Sequence, residues 1–419
     1  MPDWLRLLLT RRMLICVFTG FSSGLPLYLL LNLLPAWLRS ESVDLKTIGL
    51  FALIQFPYTW KFLWAPALDR YRLPLGRRRG WILLSQAGLL LSIGVLGGFS
   101  PASDLTPVIW LSVALAFLSA TQDVALDAYR REILTDQELG LGNSVHVNAY
   151  RIAGLVPGSL SLILADLLPW AQVFWITAAF MLPGMVMVLL VSEPAVVGTP
   201  KTLRQAVIEP FHEFIGRQGW SGALLVLGFI FLYKLGDSLA TALSTPFYLD
   251  LGYSKTDIGV IAKHAGLWPA VIGGLLGGLW MVRLGINRAL WLFGLVQMIT
   301  ILGFAWLAWR GVQPSIDAVD RAALAAVIGA EYLGVGLGTA AFIAFIARAT
   351  NPAFTATQFA LFTSLAAVPR TFINASAGWL AETVGWVSFF IFCFLLAVPG
   401  LAMLLKVAPW NETPRLPKS

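Results

Sequence analysis

The chain has 419 residues, of which 58% are hydrophobic and 12% charged, with a mean hydropathy of +0.77. Soluble domains are roughly 45 to 50% apolar and about 25% charged, so the composition excludes a soluble globular enzyme and defines an integral membrane protein. The net charge of +7 calls for no nucleic-acid partner, because basic residues at membrane boundaries meet anionic lipid head groups and fix topology.

Taken in order, the apolar runs predict twelve membrane helices: 13–38, 46–68, 80–99, 107–129, 144–165 and 170–191, then 220–249, 256–282, 287–309, 321–347, 355–380 and 386–407. The first run is longer than a signal-peptide core and is expected to be retained. The break at 192–219 holds an amphipathic TLRQAVIEPFHEFI and reads as a cytoplasmic linker on the membrane surface, between a six-helix bundle at 1–191 and a second bundle with a short tail at 220–419. If the N-terminus is cytoplasmic, inside segments hold nineteen Lys and Arg against five outside, which places both termini inside. Cys16 and Cys393 lie in apolar runs and the three histidines are scattered, so no disulfide, metal or cofactor is expected.

Charges inside these spans are costly, roughly 2.5 to 3.5 kcal/mol each at mid-membrane, and mark candidate sites. Asp123 and Asp127, four apart in SATQDVALDAYRR, share one helical face with Gln122 beside it. They predict a proton or substrate site, although the same spacing fits two acids solvated beside Arg130 and Arg131. Lys234 and Asp237 are close enough for an intrahelical pair. Lys61, Arg151, Lys263, Glu331 and Arg370 complete the set. Between the second and third spans, Asp69-Arg70 and Gly76-Arg77-Arg78-Arg79 predict a cytoplasmic latch in which the carboxylate meets a helix N-terminus and the arginines meet acids; the basic run alone also fits plain anchoring. Most of the seventeen tryptophans fall at predicted helix ends, as interfacial belts do.

LLPAWLRSESVDLKTIG, ending at Gly49, is repeated loosely as LSTPFYLDLGYSKTDIG, ending at Gly259. Such parallel repeats are the layout of major facilitator transporters, whose site lies near the midplane between halves. Beyond this layout, GFSSGLPL, DLKTIG, KFLWAPALDRY, SATQDVALDAYR, YKLGDS, GTAAFIAFI and TATQFALFTS together resemble the AmpG muropeptide permease family, from about Gly20 to Pro399. The resemblance implies a monomeric, proton-coupled importer in the bacterial inner membrane. Its cargo would be anhydromuropeptides, GlcNAc-1,6-anhydroMurNAc with or without a stem peptide, recovered for peptidoglycan recycling and linked to β-lactamase induction and antibiotic resistance. It also implies roles: Asp123, Asp127, Asp237 and Glu331 in proton coupling; Lys61, Gln122, Tyr150, Arg151, Lys234 and Arg370 in substrate binding; and Asp69, Arg70, Arg77 and Arg78 in the cytoplasmic gate. Many family members carry further C-terminal hydrophobic segments, and RYRLPLGRRR is a stretched form of the superfamily signature. The alternatives are a carrier of another anion, acetyl-CoA-carrier-like, and more distantly a membrane enzyme or lipid flippase, for which the sequence offers no nucleophile with a base.

Overall fold

The computed structural model describes residues 10–43, 47, 51–193, 202–253, 257–313, 315–368, 373 and 377–411. Among them the regular structure is helical. We label α1 Arg11–Tyr28, α2 Arg79–Leu96, α3 Thr106–Ile133, α4 Leu139–Ala153, α5 Leu235–Ala242, α6 Lys263–Arg310, α7 Ala318–Ala349, α8 Thr355–Val368 and α9 Ala377–Val407.

Nine helices among the described residues are long and apolar enough to cross a membrane, against twelve spans read from the sequence. The difference arises at three places. Residues 51–70 form short pieces, with 3-10 turns at Phe51–Gln55 and Lys61–Leu63 flanking helices Phe56–Trp60 and Ala65–Arg70. Pro57 and Pro66 stand in the first turns of those helices, where a missing N–H is tolerated, so each starts a new segment. The run Val260–Arg310 is 51 residues long, about 75 Å at 1.5 Å per residue, enough for two crossings of a core about 30 Å thick. It turns at Gly285 with φ 73°, a backbone state that only glycine adopts freely. The third place is the predicted span 355–380, of which α8 is described while 369–372 and 374–376 lie outside the described residues.

The contacts divide the chain into two compact units. One holds the residues up to Thr135 together with Val145–His212 and Thr350–Ser364; the other holds Asp136–Ser144, Glu213–Ala349 and the residues from Leu365 onward. In the first unit α3 packs on α1 and α2, α2 also on the helix Trp170–Ala179, and the helix Leu182–Leu190 on α1 and α2. α1 begins at the Thr10 hydroxyl, which accepts from the Met13 amide, and its GFSSG run lets it approach α4 at backbone distance. A Cβ at Gly20 or Gly24 would collide with the carbonyls of His146 and Tyr150, respectively. One core cluster of this unit centres on Trp37, edge-on to Phe174 with centroids 4.9 Å apart, and another joins Leu68, Ile82 and Val124 to Ala356 and Ala360 of α8. In the second unit α6 packs along α7 and α9 around Phe247, Phe304, Phe389 and Phe390. The many exposed leucines and tryptophans, such as Leu84, Leu91 and Trp110, are what lipid-facing surfaces require.

Candidate functional site

The candidate residues of the first unit converge where helices are interrupted. Pro26 lies inside α1, which continues through a π-helical turn at Leu29–Leu33; a second π turn, Val156–Leu160, follows α4 and contains Pro157. Lys61 opens the 3-10 turn Lys61–Leu63. Such turns cost backbone hydrogen bonds and are frequent at functional sites.

Asp123 on α3 is 8% exposed, and its Oδ1 accepts a 2.6 Å hydrogen bond from Ser23 Oγ of α1. Beside it, Gln122 Nε2 donates to the Ser22 carbonyl at 2.7 Å. Asp127 receives Arg130 at 2.8 Å and, more loosely, the Lys61 ammonium at 3.9 Å. Burial of Asp123 and its bond to Ser23 remove the reading in which both acids are simply solvated. Two acids here face two cations, so Lys61, Asp123, Asp127 and Arg130 together are neutral. Trp64 Nε1 donates to Thr121 Oγ1 at 3.1 Å and holds the Lys61 turn against α3. Tyr150 meets the Tyr28 ring edge-on at 5.6 Å, and its neighbour Arg151 is half-buried.

At the end of α3 a second cluster forms around Asp69, which is fully buried. Its Oδ2 accepts from the Thr357 amide at 2.9 Å and the Thr357 hydroxyl at 2.7 Å, and its Oδ1 takes the Ala356 amide at 3.3 Å, so the carboxylate caps the N-terminus of α8. Arg78 reaches Asp69 at 2.7 Å and Glu132 at 2.6 Å, and Arg77 reaches Glu132 at 2.9 Å. Burial works against the charge of Arg78, but Glu132 and Asp69 outweigh it and hold its pKa above the ordinary value. Arg77 is shifted the other way, first by burial and then by Arg78 beside it. Arg70, expected in this cluster, instead lies over the Tyr71 ring. Glu132 and Glu193 were not expected. Glu193 accepts from the amides of Arg78 and Arg79 at 2.8 and 3.1 Å and caps α2.

In the second unit the helix Leu203–Leu232 stops at Tyr233-Lys234 and resumes as α5. Discontinuous helices are where transporters expose backbone to cargo and ions. Lys234 Nζ stands 3.0 Å from Asp237 Oδ2 and 3.2 Å from Thr339 Oγ1 of α7. Glu331, also on α7, is 0% exposed and faces Asp237 and Thr300. Arg370, expected to bind substrate, lies outside the described residues.

Helical spans, interrupted helices and buried ion clusters fit a membrane transporter, and the family model of the Major Facilitator Superfamily, a transporter superfamily, matches residues 16–368. The chain is 41% identical over 407 residues to the anhydromuropeptide permease of Escherichia coli K12, covering 96% of this chain and 81% of that one. With an uncharacterised protein of Haemophilus influenzae it shares 52% over 408 residues, 96% of each chain. The human organic anion transporter MFSD10 has a similar fold, with a TM-score of 0.69 and 15% identity over 96% of this chain and 100% of that one. The chain therefore belongs to the AmpG family of that superfamily.

Proposed function

We propose that this transporter imports anhydromuropeptides, GlcNAc-1,6-anhydroMurNAc with or without its stem peptide, from periplasm to cytoplasm across the bacterial inner membrane. Import is coupled to protons, the chain acts as a monomer with both termini in the cytoplasm, and the cargo feeds peptidoglycan recycling and the signal that induces β-lactamase. The observation that carries this reading is the 41% identity to the Escherichia coli permease along 96% of the chain. The buried charges agree with it. The lactyl and stem-peptide carboxylates of such a cargo need cations, and Lys61, Arg151, Lys234 and Arg370 are our candidates, with Gln122 and Tyr150 for neutral groups.

Proton coupling is assigned to the intramembrane acids Asp123, Asp127, Asp237 and Glu331. A carboxylate is costly to enclose in a dry site and far less so once protonated, so a proton and the cargo cross together. The Asp69, Arg77 and Arg78 cluster is proposed as the cytoplasmic gate: opening it withdraws the Asp69 carboxylate from the amides of α8, which then need water in its place. The reading is tested in right-side-out vesicles holding the purified protein, with labelled GlcNAc-1,6-anhydroMurNAc tripeptide and an imposed inward proton gradient. Accumulation above equilibrium that an uncoupler abolishes is expected; uptake that ignores the gradient would remove the coupling, and no uptake would remove the cargo.

A further inference from the structure

The four intramembrane acids are not equivalent. In the first unit each has its own compensation: Asp123 accepts from Ser23, and Asp127 is held by Arg130 and Lys61. In the second unit two acids face one cation among the described residues. Lys234 lies against Asp237 Oδ2, which leaves Asp237 Oδ1 and both oxygens of Glu331 buried without a well-formed hydrogen bond. The other groups around Glu331 are Thr300 on α6, Tyr248 on the helix Ser244–Asp250, and Cys393 on α9. None of them carries a positive charge. A second fully ionised carboxylate beside Asp237 would sit in a low-dielectric interior next to a like charge, at a cost that the Thr300 hydroxyl and the shared Lys234 offset only in part. One proton placed between the two carboxyls removes the excess charge and makes one of them a donor to the other.

The surroundings suit a proton that comes and goes. Asp237 borders a small cavity lined also by Tyr233, Gln297 and Met298, with room for about one water molecule. Lys234 caps the start of α5 and Asp237 lies in its first turn, so the partner of Glu331 sits where the helix is interrupted.

We propose that Glu331 is the group that takes up the transported proton and shares it with Asp237, while Asp123, bonded to Ser23, and Asp127, held by Arg130 and Lys61, serve the cargo. This rests on the proton-coupled import proposed above and narrows its four candidate acids to the pair Glu331 and Asp237. The balance is simple: an O–H bond forms at Glu331 with a proton from periplasmic water and breaks toward cytoplasmic water, and no other bond changes. Lys234 acts through Asp237 by holding its Oδ2 at 3.0 Å, which makes it a positioning residue for this step.

The test uses the full chain in proteoliposomes with labelled GlcNAc-1,6-anhydroMurNAc tripeptide. If one proton accompanies each substrate, the wild type accumulates about tenfold for each pH unit of gradient. Glu331→Gln is expected to fall to the equilibrium level, yet to exchange labelled for unlabelled cargo at a rate that no longer varies with pH. Whatever Asp123→Asn does to rate or affinity, its accumulation ratio should still follow the gradient. A Glu331→Gln protein that accumulates above equilibrium overturns the proposal, as does an Asp123→Asn protein that exchanges without accumulating. If the wild type transports nothing, the import reading is what fails, and infrared spectroscopy of the purified protein then decides this one: a protonated-carboxyl band at neutral pH should disappear in Glu331→Gln and persist in Asp123→Asn. An unchanged band in Glu331→Gln overturns it. Should that variant not survive purification, Glu331→Asp, which keeps a titratable group one methylene shorter, is expected to shift the pH profile of exchange; an unmoved profile overturns it equally.

Discussion

The two units place carboxylates inside the membrane in opposite ways. In the first, acid and base are matched, Asp127 with two cations and Asp123 with a serine hydroxyl, and the latch at Asp69 repeats the pattern with Arg77, Arg78 and Glu132. In the second, Asp237 and Glu331 share one lysine among the described residues. The difference teaches that an intramembrane acid is not by itself a proton site. A carboxylate with its own arginine gains nothing from protonation, whereas one that must share a cation does.

That contrast can be broken by substitution. The largest effect is expected for Arg78→Ala, which leaves Asp69 and Glu132 buried beside each other with only Arg77 near; removing one partner from a buried network costs roughly 3 to 5 kcal/mol, read as a fall in melting temperature in detergent. Gly24→Val should cost about 1 to 3 kcal/mol by forcing α1 away from the Tyr150 carbonyl, and should lower the yield of monodisperse protein. Lys234→Ala and Lys61→Ala sharpen the comparison directly. Loss of Lys234 strips Asp237 of its 3.0 Å partner and is expected to destabilise by about 1 to 3 kcal/mol. Loss of Lys61, 3.9 Å from an Asp127 that keeps Arg130, should cost about 1 kcal/mol, less than loss of Lys234, while impairing uptake. Equal losses of thermal stability in the two variants would remove the asymmetry. The smallest effect is expected for Trp64→Phe, which gives up the bond to Thr121 for about 0.5 kcal/mol, measured by the same melt.

Much of this was legible in the sequence, because membrane insertion makes each charge conspicuous. Asp123, Asp127, Lys61, Lys234, Asp237 and Glu331 stand out against apolar runs, and their i, i+3 and i, i+4 spacings alone give shared faces. The latch was half legible. Asp69 and the arginines follow from a local motif, but Thr357 is 288 residues from Asp69, and Glu132 and Glu193 read in isolation as ordinary helix-end acids. Nor does hydropathy show where a helix breaks. Residues 46–68 score as one apolar run, yet the prolines at 57 and 66 divide it and turn the backbone at Lys61. Arg70 was misplaced because its neighbour Tyr71 offers a ring face nearer than any acid, a preference that charge patterning does not reveal.

The turn at Gly285 bears on how the protein can be handled. Helix runs up to it and away from it without a loop, so there is no slack chain there for a protease to bind in extended form. An epitope, fluorophore or cleavage sequence inserted between Arg283 and Asn287 would have to unwind both flanking turns to be reached. Limited proteolysis should therefore leave Val260–Arg310 as one intact fragment, and engineers seeking a permissive insertion point should look elsewhere on the chain.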